Sequence, residues 1–387
     1  MNIRKEIQEI AESIISTRRD VHKHPELGFQ EFRTAKLIAT RLRELGIEIQ
    51  TKVGKTGVVA TIQGIESGQT IALRADMDAL PIQENSDINY KSVNDGVMHA
   101  CGHDGHIAML LGVAEVLKTK SIRGTVKLIF QPAEEGEGGA KFMIEDGCLD
   151  GVDEIYGVHL WNYQKFGTIG IKSGPVMAAA DGFKIDIKGI GGHGATPQGT
   201  VDAIVVTSHL ITALQTIVSR NTDPLENTVI TVGKIEGGSN FNVISDSVHL
   251  EGTARAYTEE NRIMIKQRMK EIIDGTAKAF GAEILFEYKD GYPPTINHPE
   301  PTETMRSASE KIVGENVGKP FLSMGGEDFS YYAQKIPASY GFIGSTPKHL
   351  KPEDIQHHSS HFNFEEDAML IGASLLLQII DDKMVIK

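Results

Sequence analysis

Nine residues in the first third of the chain, Met98 to His106, read MHACGHDGH and hold three histidines, a cysteine and an aspartate. Thiolate and imidazole are both metal donors, and packing offers no economical reason for so many of them in one place. The stretch is too polar for a strand core and too rich in glycine for a helix interior, so we predict a tight loop at Cys101, Gly102 and His103. A helix is predicted after it, because apolar residues recur at helical spacing over 107–117. The sequence therefore predicts a metal site on this segment, residues 98–106, called the cysteine loop below.

Further metal donors follow two predicted strands. Glu134 and Glu135 come just after the apolar run 126–130, and His159 comes directly after the strand-like segment 154–158. In open α/β sheets, sites form outside the carboxyl ends of the strands. We therefore expect these side chains to complete a coordination shell that the cysteine loop does not complete alone.

A third group of donors, His357, His358 and His361, lies near the end of the chain. Taken singly, each group has an ordinary interpretation: His159 as a buried core histidine, and adjacent glutamates as a solvated surface. Taken together, one cysteine, two histidines, one glutamate and one C-terminal histidine make five donors. Five exceed the need of a closed tetrahedral structural site and suit two ions that share a bridging ligand and a water.

Seven motifs, in order and across nearly the whole chain, resemble the metallo-amidohydrolases that include hippurate hydrolase, N-acyl-L-amino acid amidohydrolase and the indole-acetyl-amino-acid hydrolases. The motifs are HKHPELGFQE (22–31), LRADMDALPIQE (73–84), MHACGHDGH (98–106), FQPAEEGEGGAK (130–141), GVHLW (157–161), GGHGATP (191–197) and MGGEDFSYY (324–332). A more distant similarity is to aminoacylase and carboxypeptidase G.

This resemblance implies a complete ligand set. The metal ligands would be Cys101, His103, Glu135, His159 and His358. Members of the family usually have leucine where this chain has His357, and His358 is aligned with the family's ligand by counting back from EEDAMLIGA (365–373). The cofactors would be two divalent ions per subunit. Thiolate favours zinc, whereas histidine and carboxylate also suit manganese, cobalt or nickel.

The resemblance also implies roles for residues that do not bind metal. Glu134 would be the general base, and Asp78 a carboxylate that orients a ligand. His193 is the candidate for stabilising the tetrahedral oxyanion, and by resemblance it would act across a dimer interface. Asn242 and Arg255 are candidates for holding the free carboxylate of the substrate; an ordinary surface salt bridge is the alternative for Arg255.

The chain is long enough for two domains, since 387 residues exceed what one core comfortably supports. Strands and helices alternate up to about residue 180, which favours an α/β class. From Asp181 the predicted order is β-α-β-β-α-β, the ferredoxin-like order, and it holds none of the metal ligands. We predict a mixed-sheet, metallopeptidase-like catalytic domain at 1–180 and 293–387. Residues 181–292 would form an inserted ferredoxin-like α+β domain that serves as a lid and pairs two subunits in a homodimer.

Composition excludes several classes of function. The net charge is −13 with no basic block, which argues against a nucleic-acid partner. Ile3, Ile7, Ile10 and Ile14 share one helical face, which is not the layout of a signal peptide, so we expect a cytoplasmic protein. The longest apolar runs noted in the sequence, such as 375–380, are too short to span a membrane. Cys101 and Cys148 are the only cysteines, so no disulfide framework is implied.

The sequence thus predicts hydrolysis of the amide bond of N-acyl amino acids, including hippurate-like, N-acetyl and other acyl conjugates. A carboxypeptidase or dipeptidase acting on short peptides is the alternative. Gly189 to Gly194 fits the dinucleotide pattern G-x-G-x-x-G, but Pro197 follows and no acid lies between Val205 and Gln215, which argues against an oxidoreductase. An inactive binding protein would lack the base or a ligand, whereas all are present here.

Overall fold

The computed structural model describes residues 1–354 and 356–384. Its α-helices are α1 Lys5–Glu9, α2 Ala11–Lys23, α3 Phe32–Glu44, α4 His103–Leu117, α5 Gly139–Glu145, α6 Ala203–Thr216, α7 Glu259–Phe280, α8 Pro299–Val313, α9 Ser330–Ala333 and α10 Asp367–Met384. Its strands are β1 Glu48–Val53, β2 Gly57–Gln63, β3 Glu66–Asp76, β4 Arg123–Gln131, β5 Glu154–Lys165, β6 Ile169–Gly170, β7 Gly174–Met177, β8 Ala179–Lys188, β9 Gly192–His193, β10 Thr228–Gly237, β11 Val243–Ile244, β12 Ser247–Ala256, β13 Glu283–Tyr292, β14 Thr295–Asn297, β15 Val317–Gly318 and β16 Ala338–Thr346.

The chain forms two compact units. Unit 1 comprises Met1–Val176, Ile296–Leu322 and the chain from Asp328 onward, and unit 2 comprises Met177–Thr295 and Ser323–Glu327. The observed boundaries lie four and three residues from the predicted ones at 180 and 292. The predicted division differs at Ser323–Glu327, which we expected in the catalytic part and which belongs to unit 2.

Unit 1 is built on an eight-stranded mixed sheet in the order β1-β2-β4-β3-β5-β16-β6-β15. The central strands β4, β3, β5 and β16 run parallel. β1 and β2 pair antiparallel with their neighbours, and β6 pairs antiparallel with β16 and parallel with β15. The parallel strands are buried and apolar, as strands covered on both faces must be. Their carboxyl ends meet at one edge of the sheet, where the sequence placed its metal donors.

Helix α4 is the central helix of unit 1. Every residue of α4 except Glu115 is buried, because the helix packs against α2, α3, α10 and the sheet. A side chain at Gly112 would lie 2.8 Å from the Ile14 side chain, so a glycine permits this close approach of α2. The N-terminal isoleucine stripe, expected on one helix, is divided between α1 and α2 by a break at Ile10.

Unit 2 has a four-stranded sheet in the order β10-β12-β8-β13, antiparallel throughout. With α6 and α7 this is the ferredoxin-like arrangement, in which the first and third strands of the fold lie in the middle. A short second ladder, β9 with β11, was not predicted from the sequence. It carries His193 and lies beside Asn242.

One helical stretch of unit 2, Ala203–Asn221, is long and apolar enough to cross a membrane by length and composition alone, with a mean hydropathy of 1.2. This stretch is longer than the apolar run 375–380 from which no membrane span was predicted. Val206, Leu210 and Leu214 on this stretch lie in the core of unit 2. The composition is therefore weak evidence for a membrane span, because a core helix has the same composition.

Candidate metal centre

The cysteine loop reverses direction at Gly102, whose φ of 102° is in the left-handed region that favours glycine. This turn separates Cys101 from His103, which is the first residue of α4 rather than a loop residue. Both side chains are buried, and His159 reaches them from β5. The donor atoms of the three residues all lie within 4.8 Å of one another, and Cys101 Sγ is 3.5 Å from His159 Nε2.

Both imidazoles in this group are oriented by main-chain carbonyls. His103 Nδ1 lies 2.9 Å from the carbonyl oxygen of Asp78, and His159 Nδ1 lies 2.7 Å from that of Leu160. Since a carbonyl only accepts, each Nδ1 carries the proton and each Nε2 presents a lone pair. The buried His103 Nε2 has no hydrogen-bond partner among the described residues. An orphaned buried nitrogen of this kind fits a metal ligand.

A second group of donors is Cys101, Glu135 and His358, again within 4.8 Å of one another. His358 Nε2 is 3.2 Å from Glu135 Oε1. The main chain aims this histidine: its φ is 63°, and its N–H donates to the carbonyl of Ala100 on the cysteine loop at 2.8 Å. Cys101 belongs to both groups, so the arrangement offers two metal positions with a shared thiolate.

The adjacent histidine, His357, makes different contacts. Its Nε2 accepts a hydrogen bond of 3.0 Å from the main-chain N–H of Asn162, and its Nδ1 lies 3.8 Å from Cys101 Sγ. Burial and the neighbouring His358 lower its pKa to about 3. Of the two adjacent histidines, the structure brings His358 into a donor group with Glu135 and turns both ring nitrogens of His357 to other contacts.

Asp78 connects the two glutamates with the cysteine loop. Its carboxylate accepts the N–H groups of Glu134 at 3.0 Å and of Glu135 at 2.9 Å, while its carbonyl orients His103. One buried aspartate thus fixes the turn after β4 and the start of α4 relative to each other. This is the ligand-orienting role that the resemblance implies for Asp78.

A second buried carboxylate, that of Glu31, holds the same turn one residue earlier. Ala133 has a φ of 53°, unusual for a residue with a side chain, and its N–H donates to Glu31 Oε1 at 2.9 Å. Thr56 Oγ1 donates to the other carboxylate oxygen at 2.5 Å. Burial raises the pKa of Glu31 to about 7. No role was predicted for Glu31 from the sequence. Only its position as the last residue of the motif HKHPELGFQE pointed to a role in the site.

Glu134 is buried beside the donor groups rather than inside either of the two described above. Its Oε2 and Glu135 Oε1 each lie 4.0 Å from His103 Nε2, and the main-chain N–H of Asp328 lies 3.4 Å from Glu134 Oε1. Asp328 is itself anchored by the guanidinium of Arg74 at 2.9 Å. The carboxylate is therefore held facing the metal donors.

His106, the third histidine of the motif after His99 and His103, is occupied by protein groups. Its Nδ1 lies 2.6 Å from Asp76 Oδ1, and its Nε2 accepts the N–H of Leu160 at 2.9 Å. Asp76 also pairs with Arg74 at 2.6 Å. Although Asp76, His103 and His106 could together hold an ion by distance, two of them already have strong partners.

The electrostatics of the site call for a cation. Burial would lower the pKa of His103, but Asp76, Asp78 and Glu135 raise it to about 10. Burial, with Glu135 and Glu134 nearby, raises the pKa of the Cys101 thiol well above its usual value. The His103 shift reflects the carboxylates around a buried ring, and the Cys101 shift reflects burial first and the two glutamates second. A divalent ion would reverse them, because it stabilises thiolate and carboxylate and requires neutral imidazole.

Behind the metal donors, a buried ion pair supports the start of α4. Arg18 on α2 donates to Asp104 at 2.8 Å, and His22 Nδ1 lies 2.9 Å from the same carboxylate oxygen. Arg18 holds the pKa of Asp104 well below its usual range against the effect of burial. Sequence analysis did not find this pair, because Arg18 lies far from Asp104 in the chain and in an ordinary amphipathic helix.

The remaining predicted residues lie in unit 2. His193 is exposed on β9, and its Nδ1 accepts the N–H of Ala195 at 3.1 Å, so the proton is on Nε2. Asn242 accepts the N–H of Gly194 at its carbonyl, 2.8 Å away. Arg255 is half-buried on β12, and burial lowers its pKa. Arg255 forms no salt bridge with the described residues, since Asp181 pairs with Arg262 instead.

Curated relatives match almost the whole chain. N-acetyl-L-cysteine deacetylase of Bacillus subtilis is 43% identical over 371 residues, which cover 95% of this chain and 88% of that protein. Thermostable carboxypeptidase 1 of Saccharolobus solfataricus is 42% identical over 96% of this chain and 95% of its own length. IAA-amino acid hydrolase ILR1-like 4 of Arabidopsis thaliana is 41% identical over 94% of this chain and 83% of its own length.

A solved structure agrees with these relatives. The Bacillus subtilis YXEP protein, described as a dinuclear metal binding peptidase from the M20 family, superposes with a TM-score of 0.84 at 35% identity, covering 96% of this chain and 98% of that one. The sequence itself matches Peptidase family M20/M25/M40 over residues 72–382. The chain therefore belongs to Peptidase family M20/M25/M40 and is a metal-dependent hydrolase of the amidohydrolase type.

Proposed function

We propose that this protein hydrolyses the amide bond of N-acyl amino acids and releases a carboxylic acid and a free amino acid. The observation that carries the proposal is the pair of donor groups that share Cys101, with the Glu134 carboxylate held beside them. Names among the relatives support it, since one is a deacetylase of an N-acetylated amino acid and another a hydrolase of IAA-amino acid conjugates.

Two divalent ions would be held by Cys101, His103, Glu135, His159 and His358. His106 and His357, two further histidines beside these donors, have protein contacts of their own. When bound, such ions polarise an amide carbonyl and lower the pKa of a shared water. The donor set of one sulfur, three imidazoles and a carboxylate suits zinc, manganese, cobalt or nickel.

Glu134 would move the proton. Its carboxylate lies beside the donors without belonging to the two groups that share Cys101, which is the position required of a base that takes a proton from the attacking water. The same residue would then give the proton to the leaving nitrogen. An amide requires that step, because an unprotonated amine anion leaves very poorly.

Residues of unit 2 would bind and stabilise the substrate. Arg255 is a half-buried guanidinium without a salt bridge among the described residues, and a substrate carboxylate would supply the missing anion. Asn242 would assist it. His193 carries its proton on Nε2, so that atom would donate to the tetrahedral oxyanion. We further propose that the protein is a cytoplasmic homodimer, paired through unit 2, in which His193 of the partner subunit completes the site.

Cleavage of short peptides by a carboxypeptidase or dipeptidase activity is the second candidate. It is favoured by the likeness to a thermostable carboxypeptidase. Both activities act on an amide beside a free carboxylate, so the same ligands, base and carboxylate-binding residues would serve. The two differ in the acyl half of the substrate, which is an amino acid in a dipeptide.

Metal removal and one substrate panel test the proposal. We expect chelation to abolish hydrolysis of N-acetyl, N-benzoyl and indole-acetyl amino acids and a readded divalent ion to restore it, with dipeptides cleaved more slowly. Cys101→Ala should lower metal content measured by elemental analysis. Cys148→Ala is the matched control and should leave metal content unchanged, because this buried thiol belongs to none of the donor groups. Full activity in a verified metal-free preparation would overturn the proposal.

A further inference from the structure

We propose that Tyr163 and Phe321 form the surface that receives the acyl group of the substrate, and that the preferred acyl group carries an aromatic ring. The inference rests on the proposed function, because it concerns the acyl half of an N-acyl amino acid. It names a substrate class that neither the metal ligands nor the base determines.

The surface begins at a metal ligand and continues along one strand. Side chains alternate between the two faces of a strand, so His159, Trp161 and Tyr163 of β5 share a face. The ring centroids of His159 and Trp161 are 5.0 Å apart, and those of Trp161 and Tyr163 are 4.8 Å apart. The three rings form a continuous aromatic row from the metal donors outward.

Phe321 extends this row. Its ring stacks on Tyr163 with a centroid distance of 5.3 Å and an interplanar angle of 23°. The phenyl group is nevertheless 53% exposed. A large exposed ring that lies next to a site has one open face available for a planar ligand.

The main chain of Phe321 is held on both sides by side chains of the same strand. Its N–H donates to Gln164 Oε1 at 2.9 Å, and its carbonyl accepts from Trp161 Nε1 at 3.1 Å. A residue exposed by chance on a loop has no need of two such bonds. Fixing the ring before a ligand arrives reduces the entropy lost on binding, so these bonds fit a recognition surface.

His357 joins the row to the cysteine loop. Its ring lies 4.8 Å from Trp161 and 5.2 Å from Tyr163, and its Nδ1 is 3.8 Å from Cys101 Sγ. Its ring therefore extends the aromatic row toward the cysteine loop. His357 belongs to none of the donor groups, and in this proposal it forms part of the acyl-binding surface.

The chemistry of the reaction decides which half of the substrate meets this wall. Glu134 would give its proton to the leaving amine. A carboxylate oxygen of Glu134 lies within 4.8 Å of donor atoms of His103 and Glu135. The aromatic row begins instead at His159. The amine half therefore belongs on the Glu134 side of the metal donors, and the acyl half on the His159 side.

Two matched substrate pairs test this assignment. The acyl pair is N-benzoylglycine and N-acetylglycine, and the amine pair is N-acetylphenylalanine and N-acetylglycine. We expect Phe321→Ala and Tyr163→Ala each to lower the benzoyl-to-acetyl ratio of kcat/KM by about 3- to 10-fold, the value of one aromatic pair. The phenylalanine-to-glycine ratio of the amine pair should stay within twofold.

Two control variants make the result decisive. Phe321→Tyr keeps the ring and should keep the wild-type ratio, and Phe32→Ala removes another exposed ring, on α3, and should change neither ratio. A shift in the amine pair instead of the acyl pair, or no shift in either, would overturn the inference while hydrolysis itself stands. Absence of hydrolysis of every N-acyl amino acid by the metal-loaded wild type would instead overturn the proposed function.

Discussion

Glu134 and Glu135 are adjacent and have identical side chains, but their carboxylates have different surroundings. Asp78 holds both of their main-chain amides, so the two residues start from the same anchored turn. Both carboxylates lie 4.0 Å from His103 Nε2, but Glu135 also joins Cys101 and His358, whereas Glu134 also meets the Asp328 amide. Position along a turn, and not residue type, distinguishes the proposed metal ligand from the proposed proton carrier.

From this difference we predict that Glu134→Gln keeps metal and loses turnover, by the roughly 10²- to 10⁴-fold that general acid–base catalysis contributes. Glu135→Gln should lose metal itself, because it removes a donor from the group with Cys101 and His358. Elemental analysis and kcat, measured on both variants in parallel, decide the matter. Equal metal content in the two variants would contradict the assignment.

At this scale the sequence motifs named residues that the structure brings close together, but they did not predict the contacts of those residues. Cys101, His103, Glu135, His159 and His358 came from motifs, and the structure brings all five together. The occupied ring nitrogens of His106 and the contacts of His357 were not predictable. They depend on main-chain amides of Leu160 and Asn162, which a local pattern does not reveal.

Among the elements, the turn after β4 has the most demanding conformation. The N–H of its left-handed Ala133 donates to Glu31, the residue before α3, and the N–H of the next residue, Glu134, donates to Asp78. A non-glycine residue in this conformation costs about 1–2 kcal/mol and persists when its surroundings determine it. Two buried carboxylates from different elements therefore shape the turn that bears both glutamates.

Glu31 should give the metal-free protein a pH-dependent stability. Burial raises its pKa from 4.5 to about 7, so the folded state binds this proton more tightly than the unfolded state does. The resulting stabilisation is present below pH 4.5 and is lost as pH rises to about 7. We expect the wild type to lose unfolding free energy relative to Glu31→Gln across that window, measured by urea denaturation.

A second variant separates charge from hydrogen bonding. Glu31→Leu leaves the buried N–H of Ala133 without its acceptor, which should cost about 1–3 kcal/mol at every pH. Glu31→Gln retains an acceptor and should keep most of the activity at saturating metal. A parallel stability profile for wild type and Glu31→Gln between pH 4.5 and 7 would show that Glu31 titrates normally.

Element bounds followed from the sequence wherever periodicity was strong. The apolar pattern predicts a helix over Glu259–Phe280 and a strand over Ser247–Ala256, and these are the observed bounds of α7 and β12. The short strands β6, β9, β11 and β15 were missed, since two residues carry no period. The long buried strand β16 was missed for another reason: its pairing with β5 joins distant parts of the chain, and its continuous apolar run does not distinguish strand from helix.

For the molecule as a whole, the proposed homodimer leads to a prediction that can be tested only with two different subunits in one dimer. His193→Ala should lower turnover by about 10²- to 10³-fold, the loss expected for one oxyanion donor, with metal content unchanged. Glu134→Gln should be inactive for a different reason. If His193 of the partner subunit completes each site, mixed dimers of the two variants regain one intact site.

The measurement is activity after unfolding and refolding the two variants together, with heterodimers verified by differently tagged chains. Recovered activity would place Glu134 and His193 of one working site on different subunits. No recovery in verified heterodimers would mean that His193 serves its own chain. Each variant refolded alone is the control.

Unit 2 interrupts unit 1 in the sequence, so the strands of the unit 1 sheet are synthesised in two batches. Strand β5 lies between β3 and β16, yet β16 is translated after the whole of the ferredoxin-like insert. Until residues 338–346 leave the ribosome, the nascent chain keeps a long apolar edge on β5 without its neighbour, which is an aggregation hazard. The insert can close earlier, since Met177–Thr295 supplies all four strands of its sheet. The metal donors therefore come together last, when β16 fills the gap in the sheet and the segment bearing His358 reaches Cys101.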